Sequence, residues 1–102
     1  MGVQVVKKAR EKSKARGATF SVLLYLADRV FDKEIENERA ALTWPSQGNI
    51  AKETRWAVRT VQRALDELVA LGEIEAAGWK GSAAHLQTRV WSVLPEYFEE
   101  EG

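Results

Sequence analysis

The residues with the clearest potential for chemistry are Arg59, Gln62 and Arg63, which are spaced three and four positions apart. Side chains at that spacing lie side by side on one face of an α-helix. Guanidinium and amide groups donate hydrogen bonds to phosphate oxygens and to the edges of nucleic-acid bases. The spacing therefore indicates a binding surface for a polyanion rather than a catalytic centre.

Residue types that support catalysis or metal binding are scarce. The chain has no cysteine and a single histidine, His85, so a disulfide is excluded and a zinc ion would need three carboxylate ligands. It contains no Ser–His–Asp spacing and no glycine-rich phosphate loop. Glu73 and Glu75 share one face of a predicted strand, where a solvated face explains them better than a carboxylate pair. We therefore expect no enzymatic activity, no cofactor, no metal site and no small-molecule ligand.

Length and composition are those of one globular domain. The chain has 102 residues, of which 45% are hydrophobic and 29% are charged. The apolar run Phe20–Ala27 falls short of the roughly 20 residues that span a bilayer, and no signal-peptide cleavage site follows it. We expect a cytoplasmic protein without a membrane partner.

The formal net charge of zero conceals an uneven distribution. Residues 1–16 hold six lysines and arginines against Glu11, a net charge of +5, whereas residues 28–39 carry −2 and residues 96–102 carry −4. A neutral total therefore does not exclude a polyanionic partner.

The basic residues 1–16 have two interpretations. They form either a mobile arm or a short helix with Val3, Val6 and Ala9 on one side. In both cases phosphate is the natural target of their charge.

Hydrophobic periodicity predicts the elements before the Arg59–Arg63 face. A helix capped by Thr19 or Ser21 runs to about Asp32 and is apolar around most of its circumference, which is typical of a central packing element. Residues 33–40 form a polar, acidic connector, and residues 41–44 form a short strand-like run before a proline.

A helix-turn-helix pattern occupies Trp44–Gly72. Ser46 is the predicted N-cap of a helix over Gln47–Glu53, residues 54–56 form the turn, and a third helix covers Ala57–Leu71. The pattern of apolar residues predicts that the third helix buries Ala57, Val61, Ala64, Leu65, Leu68 and Leu71 and exposes Arg59, Gln62, Arg63, Asp66 and Ala70. Ile50 and Ala51 are expected to pack inward, and Trp56 is expected to anchor the turn in the core.

The chain after the third helix predicts a β-hairpin. Glu73–Ala77 is a half-buried strand with Ile74 and Ala76 inward, residues 78–82 form a glycine-containing tip, and His85–Leu94 forms the returning strand. Glu96–Gly102 is an acidic tail in which Tyr97 and Phe98 are able to pack against the domain.

Five segments carry a resemblance to a known family: Trp44–Ser46, Ile50–Ala51, Arg59–Leu65, Leu68 and Gly72–Ile74. Their pattern, W-P-S-x-x-x-I/L-A followed by R-T-V-x-R-A-L-x-x-L-x-x-x-G-x-I, resembles the winged helix-turn-helix domains of phage and plasmid replication initiators and related bacterial regulators. The resemblance covers about Ala18–Leu94. It departs from the pattern at Arg55, where glycine is usual, and at Ala57, where serine usually caps the third helix.

The resemblance implies an α+β, mostly α fold with a three-helix core and a small antiparallel β-hairpin wing. It divides the chain into residues 1–16 as a basic N-terminal arm or short helix, residues 17–95 as the winged helix-turn-helix domain, and residues 96–102 as an acidic C-terminal tail. It also implies double-stranded DNA binding through the third helix. The residues expected to contact DNA are Ser46, Gln47, Arg55, Val58, Arg59, Gln62, Arg63, Trp79 and Lys80.

Two roles are compatible with this pattern. One is a small transcriptional regulator or a DNA-recognition protein of a replication or mobile-element system. The other is a winged helix that binds a protein as an adaptor or inhibitor, which is favoured by the nearly balanced charge of residues 46–90, six bases against five acids. A homodimer is also compatible with the sequence, joined through Val3, Val5 and Val6 or through Tyr97 and Phe98.

Overall fold

The computed structural model describes residues 3–30, 41–80 and 88–98. The predicted acidic connector (33–40), the part of the predicted wing tip after Lys80, His85 and the acidic residues 99–102 lie outside the described residues.

From the second helix to the third strand, the elements follow the predicted order of helix, short strand, two helices and a hairpin. The elements along the chain are α1 (Val3–Lys12), α2 (Gly17–Asp28), β1 (Leu42–Thr43), α3 (Gln47–Thr54), α4 (Val58–Ala70), β2 (Ile74–Lys80), β3 (Thr88–Val93) and the short α5 (Pro95–Phe98). The strands form one antiparallel sheet in the order β1-β3-β2. No helix in the described residues is both long and apolar enough to cross a membrane. The predicted α+β, mostly helical fold is confirmed.

Helix α2 is the central packing element, as predicted. It contacts α1, α3 and α4 and buries Val22, Leu23, Leu26 and Ala27. Its ends differ from the prediction, because it begins after Arg16, which forms no side-chain cap, and ends at Asp28. The hydroxyl of Thr19 donates to the Glu67 carboxylate of α4 (2.9 Å) and so ties the two helices together.

The basic segment near the N-terminus is a helix over residues 3–12, which decides between the two interpretations of its conformation. Val5 and Ala9 are fully buried in the common core, and Val6 packs partly against it. Val5 is therefore committed to the chain's own core and is not free to form a dimer contact.

The buried face of α4 is confirmed at Val61, Ala64, Leu65 and Leu68. Its two predicted ends are wrong: Ala57 and Leu71 are exposed. Both residues flank the helix as its N-cap and C-cap, where the backbone leaves the helical path and the side chain leaves the buried stripe.

In β2 the expected alternation holds for buried Ile74 but not for exposed Ala76. The register of β2 against β3 shifts between Ala76 and Trp79, which is the signature of a β-bulge. A bulge changes the direction in which neighbouring side chains point, so buried and exposed residues no longer alternate there.

Glu73 is buried rather than solvated, which corrects the sequence interpretation. Only 7% of its surface is exposed, and its carboxylate accepts hydrogen bonds from the Ser13 hydroxyl and from the backbone N–H of Lys14 (2.8 Å). Glu75, on the same side of the predicted strand, is exposed. The carboxylate therefore joins the α1–α2 connection to the turn between α4 and β2.

Strand β1 fixes the start of α3 beside the wing. Leu42 and Thr43 pair with Ser92 and Trp91 of β3. Directly after the strand, the Trp44 carbonyl accepts a hydrogen bond from the Thr88 hydroxyl (2.9 Å). The sheet thus holds the beginning of α3 and the wing strands on one side of the molecule.

Candidate nucleic-acid interface

Helix α4 presents the predicted polar face to solvent. Arg59, Gln62 and Arg63 are all exposed, and Val58 at its first position is 45% exposed. Arg63 forms no ion pair with Glu67 within the described residues, since Glu67 accepts from Thr19. The two guanidinium groups are therefore available to a ligand.

The turn between α3 and α4 contains the two residues that depart from the family pattern. Arg55 adopts a left-handed conformation (φ 64°, ψ 17°) at the C-cap of α3, and Ala57 caps α4 without a side-chain hydrogen bond. Trp56 is 40% exposed, so the expectation that it anchors the turn in the core is wrong. The Thr54 hydroxyl donates to the Ile50 carbonyl within α3 (2.6 Å) and accepts from the Trp56 backbone N–H in the turn (3.5 Å).

Replacing Arg55 with glycine is expected to raise the free energy of unfolding by about 1 kcal/mol, because a left-handed backbone costs non-glycine residues roughly that much. Urea unfolding of the full chain measures the change. Lys52→Gly is the matched control: it also removes a cation, but inside α3, where glycine lowers stability by about 1 kcal/mol. Equal destabilisation by both variants would show that Arg55 is not strained.

The beginning of α3 is tied to the polar face of α4. Ser46 accepts a hydrogen bond from the Asn49 backbone N–H (3.1 Å), which confirms it as the N-cap. The Gln62 side-chain amide donates to the Gln47 side-chain oxygen (3.1 Å). Because both glutamines are exposed, this bond links two predicted contact residues from different helices into one surface.

The wing places Trp79 and Lys80 within strand β2 rather than at a turn. Trp79 pairs with Arg89 of β3 and is 57% exposed. The guanidinium of Arg89 lies 4.4 Å from the ring centre of Trp79 and 5.8 Å from that of Trp91. Arg89 was missing from the expected contact residues, because its direction depends on the β2–β3 register and on the bulge.

Two adjoining grooves separate the wing from the helix-turn-helix. The first, here the wing groove, has a volume of about 360 Å³. It is lined by Pro45, Ser46, Gln47, Trp79, Thr88, Arg89 and Trp91. The second, here the helix groove, has a volume of about 520 Å³. It is lined by Gln47, Gln62, Leu65, Asp66, Val69, Ala76, Arg89 and Trp91.

The grooves bring together four of the predicted contact residues. Ser46, Gln47, Gln62 and Trp79 line one or both of them, and Gln47, Arg89 and Trp91 are common to the two. Among the remaining candidates, Arg55, Val58, Arg59 and Arg63 are not part of the described lining of either groove. The side chain of Lys80 lies outside the described part of the chain.

The basic residues around α1 lie at the other end of α4. Lys12 and Lys14 line a depression with Leu71 and Gly72, next to the C-terminal end of that helix. A helix of 13 residues is about 20 Å long at 1.5 Å per residue. The cations of this depression are therefore remote from Arg59, which lies in the first turn.

The arrangement defines a class of protein. A helical core, a tight turn between α3 and α4, an exposed polar face on α4 and an adjoining β2–β3 hairpin together form a winged helix-turn-helix domain. Such domains typically bind DNA and are not enzymes. Within the described residues, no cluster of three or more His, Asp or Glu side chains is placed to hold a metal ion.

A family model agrees with this class. The model described as "Helix-turn-helix domain" matches residues 16–74, more than half of the chain, and the protein belongs to that family. The match ends at the first residue of β2, so the wing is a feature of the structure beyond it. Neither a curated protein nor a solved structure matches the chain significantly.

Proposed function

We propose that the protein binds double-stranded DNA by placing the N-terminal half of α4 in the major groove. The observation that carries this proposal is the exposed face of Arg59, Gln62 and Arg63 on the second helix of a helix-turn-helix. The positive end of the α4 dipole and the two arginines favour a negatively charged partner there. Asp66 and Glu67 come later in the helix, away from its inserted end.

Gln62 is the residue best prepared to read a base. Its amide N–H bonds the Gln47 side-chain oxygen, which fixes the direction of the amide plane. Among residues 3–30, 41–80 and 88–98, its own oxygen and second N–H have no further partner, and adenine offers a matching donor and acceptor in the major groove. Arg59 and Arg63 supply contacts to guanine or to phosphate.

The cellular role that we propose is a small transcriptional regulator or the DNA-recognition protein of a replication or mobile-element system. The resemblance of Trp44–Ile74 to replication initiators and bacterial regulators supports it. We also propose that the protein acts in the cytoplasm and has no enzymatic activity.

A protein partner is the second candidate. It is favoured by the exposure of Trp56 and Val58 beside the polar face of α4, because exposed apolar side chains often anchor protein interfaces. The partner would then occupy the same end of α4 that we assign to DNA.

A salt series separates the two candidates. Fluorescence anisotropy of the full chain against a labelled mixed-sequence duplex is expected to give an affinity that falls with log[salt], with a slope of about −0.9 per phosphate contacted. Absence of binding even at about 50 mM salt, where phosphate contacts are strongest, would contradict the DNA proposal and favour a protein partner.

A further inference from the structure

The side chain of Arg89 is held in place by aromatic rings. It lies 4.4 Å from the ring centre of Trp79 on the neighbouring strand and 5.8 Å from that of Trp91 on its own strand. An arginine over indole faces loses rotamer freedom before any ligand arrives, and cation–π attraction stabilises that position. Although Trp79 is well exposed, one of its ring faces is therefore occupied by Arg89.

The Arg89 guanidinium forms no ion pair with the residues that the structure describes. Within the described part of the chain no carboxylate pairs with it, and no acidic residue lines the wing groove. The opposite wall of that groove consists of Pro45, Ser46 and Gln47, all polar or neutral. The only described acid nearby is Asp66, in the helix groove on the side of α4.

We propose that Arg89 binds one backbone phosphate of DNA at the mouth of the wing groove, and that Trp79 is a positioning residue that holds the guanidinium there. This inference rests on the proposed function, since the phosphate belongs to the duplex whose major groove receives α4. Arg89 and Gln62 both border the helix groove, so one ligand reaches both. A guanidinium fixed in advance forms its charge-assisted bonds without losing further side-chain freedom.

The proposal changes the role that the sequence suggests for the wing. A tryptophan next to a lysine suggests direct DNA contact by Trp79 and Lys80. The structure assigns the contact to Arg89, and assigns Trp79 to its support. Removing Trp79 then weakens binding without removing a charge, whereas removing Arg89 removes a charge that the phosphate neutralises.

The test is a duplex titration over a salt series with four variants of the full chain. Arg89→Ala is expected to weaken binding about tenfold. It is also expected to make the slope of log K against log[salt] shallower by about 0.9. Trp79→Leu is expected to weaken binding about two- to fivefold with an unchanged slope. Trp79→Phe, which keeps an aromatic face, is expected to restore the wild-type affinity.

Lys8→Ala is the matched control. Lys8 is also a cation over an aromatic ring, 5.5 Å from the ring centre of Tyr97, but it lies on α1, and Tyr97 lines the depression at the C-terminal end of α4. Its variant loses the same charge and is expected to keep the wild-type slope. Urea unfolding of each variant confirms that the fold is retained.

Three results would overturn the proposal. The first is wild-type affinity and slope for Arg89→Ala. The second is a change for Lys8→Ala as large as that for Arg89→Ala. The third is a shallower slope for Trp79→Leu. If the wild-type chain binds and Arg59 and Arg63 are required while Arg89 is not, only this inference fails. If the wild-type chain does not bind any duplex, the proposed function itself fails.

Discussion

Replacing Arg59 and Arg63 together with alanine is expected to weaken duplex binding about 100-fold, since each base or phosphate contact of this kind contributes about 1–3 kcal/mol. Both side chains are exposed on α4, so their removal should leave the unfolding midpoint unchanged. Anisotropy at one fixed salt concentration measures the affinity, and urea unfolding verifies the fold.

The matched control for this pair is Lys12→Ala combined with Lys14→Ala. It removes the same charge, but from the depression at the C-terminal end of α4. We expect it to change the affinity by less than about threefold, because charges more than a Debye length of about 10 Å from the DNA are largely screened. Equal losses in the two double variants would mean that α4 has no special role and that binding follows total charge.

Replacing Glu73 with alanine is expected to lower the free energy of unfolding by about 3 kcal/mol, because hydrogen bonds to a charged group contribute about 1.5–3 kcal/mol each. The carboxylate is buried and accepts from the Ser13 hydroxyl and the Lys14 backbone N–H. Its loss leaves both donors without their partner and loosens the connection between α1 and α2. Urea unfolding of the full chain measures the effect.

Glu75→Ala is the control for Glu73→Ala, since it removes the same charge two residues away at an exposed position. Its effect should stay within about 0.5 kcal/mol. Equal, small effects of both variants would show that Glu73 is solvated, as its place in the alternating sequence suggested.

The helix-turn-helix was predictable because its signals are local. The periodicity of Val61, Leu65 and Leu68 marks the buried face of α4, and Ser46 marks the start of α3 through a cap that the structure contains. Arg55 stands where the family pattern usually has glycine, and its left-handed backbone shows that the turn keeps the conformation that favours glycine.

The features that escaped prediction depend on residues distant in sequence. Glu73 is buried because Ser13 and Lys14, about sixty positions earlier, surround its carboxylate. Arg89 approaches Trp79 only through the β2–β3 register, and the bulge after Ala76 breaks the alternation from which that register is usually read. In both cases local periodicity carries no information about the partner.

The burial of α1 has the same origin. The segment reads as basic and solvated, yet Val5 and Ala9 complete the core against α2. Two small apolar residues among many cations are a weak local signal of burial. They are buried because they pack against α2. Trp56 is the opposite case, an aromatic residue that the sequence places in the core and that is 40% exposed.

The most direct test of the central claim is the map of backbone amide shifts when the ¹⁵N-labelled full chain is titrated with duplex DNA. We expect shifts at residues 46–48, along the first two turns of α4 (58–64) and on the wing around Trp79 and Arg89. Amides near Lys12, Gly72 and Tyr97, at the other end of α4, should not move. A map centred on α1 and that end of α4, with the first turns of α4 unchanged, would contradict it.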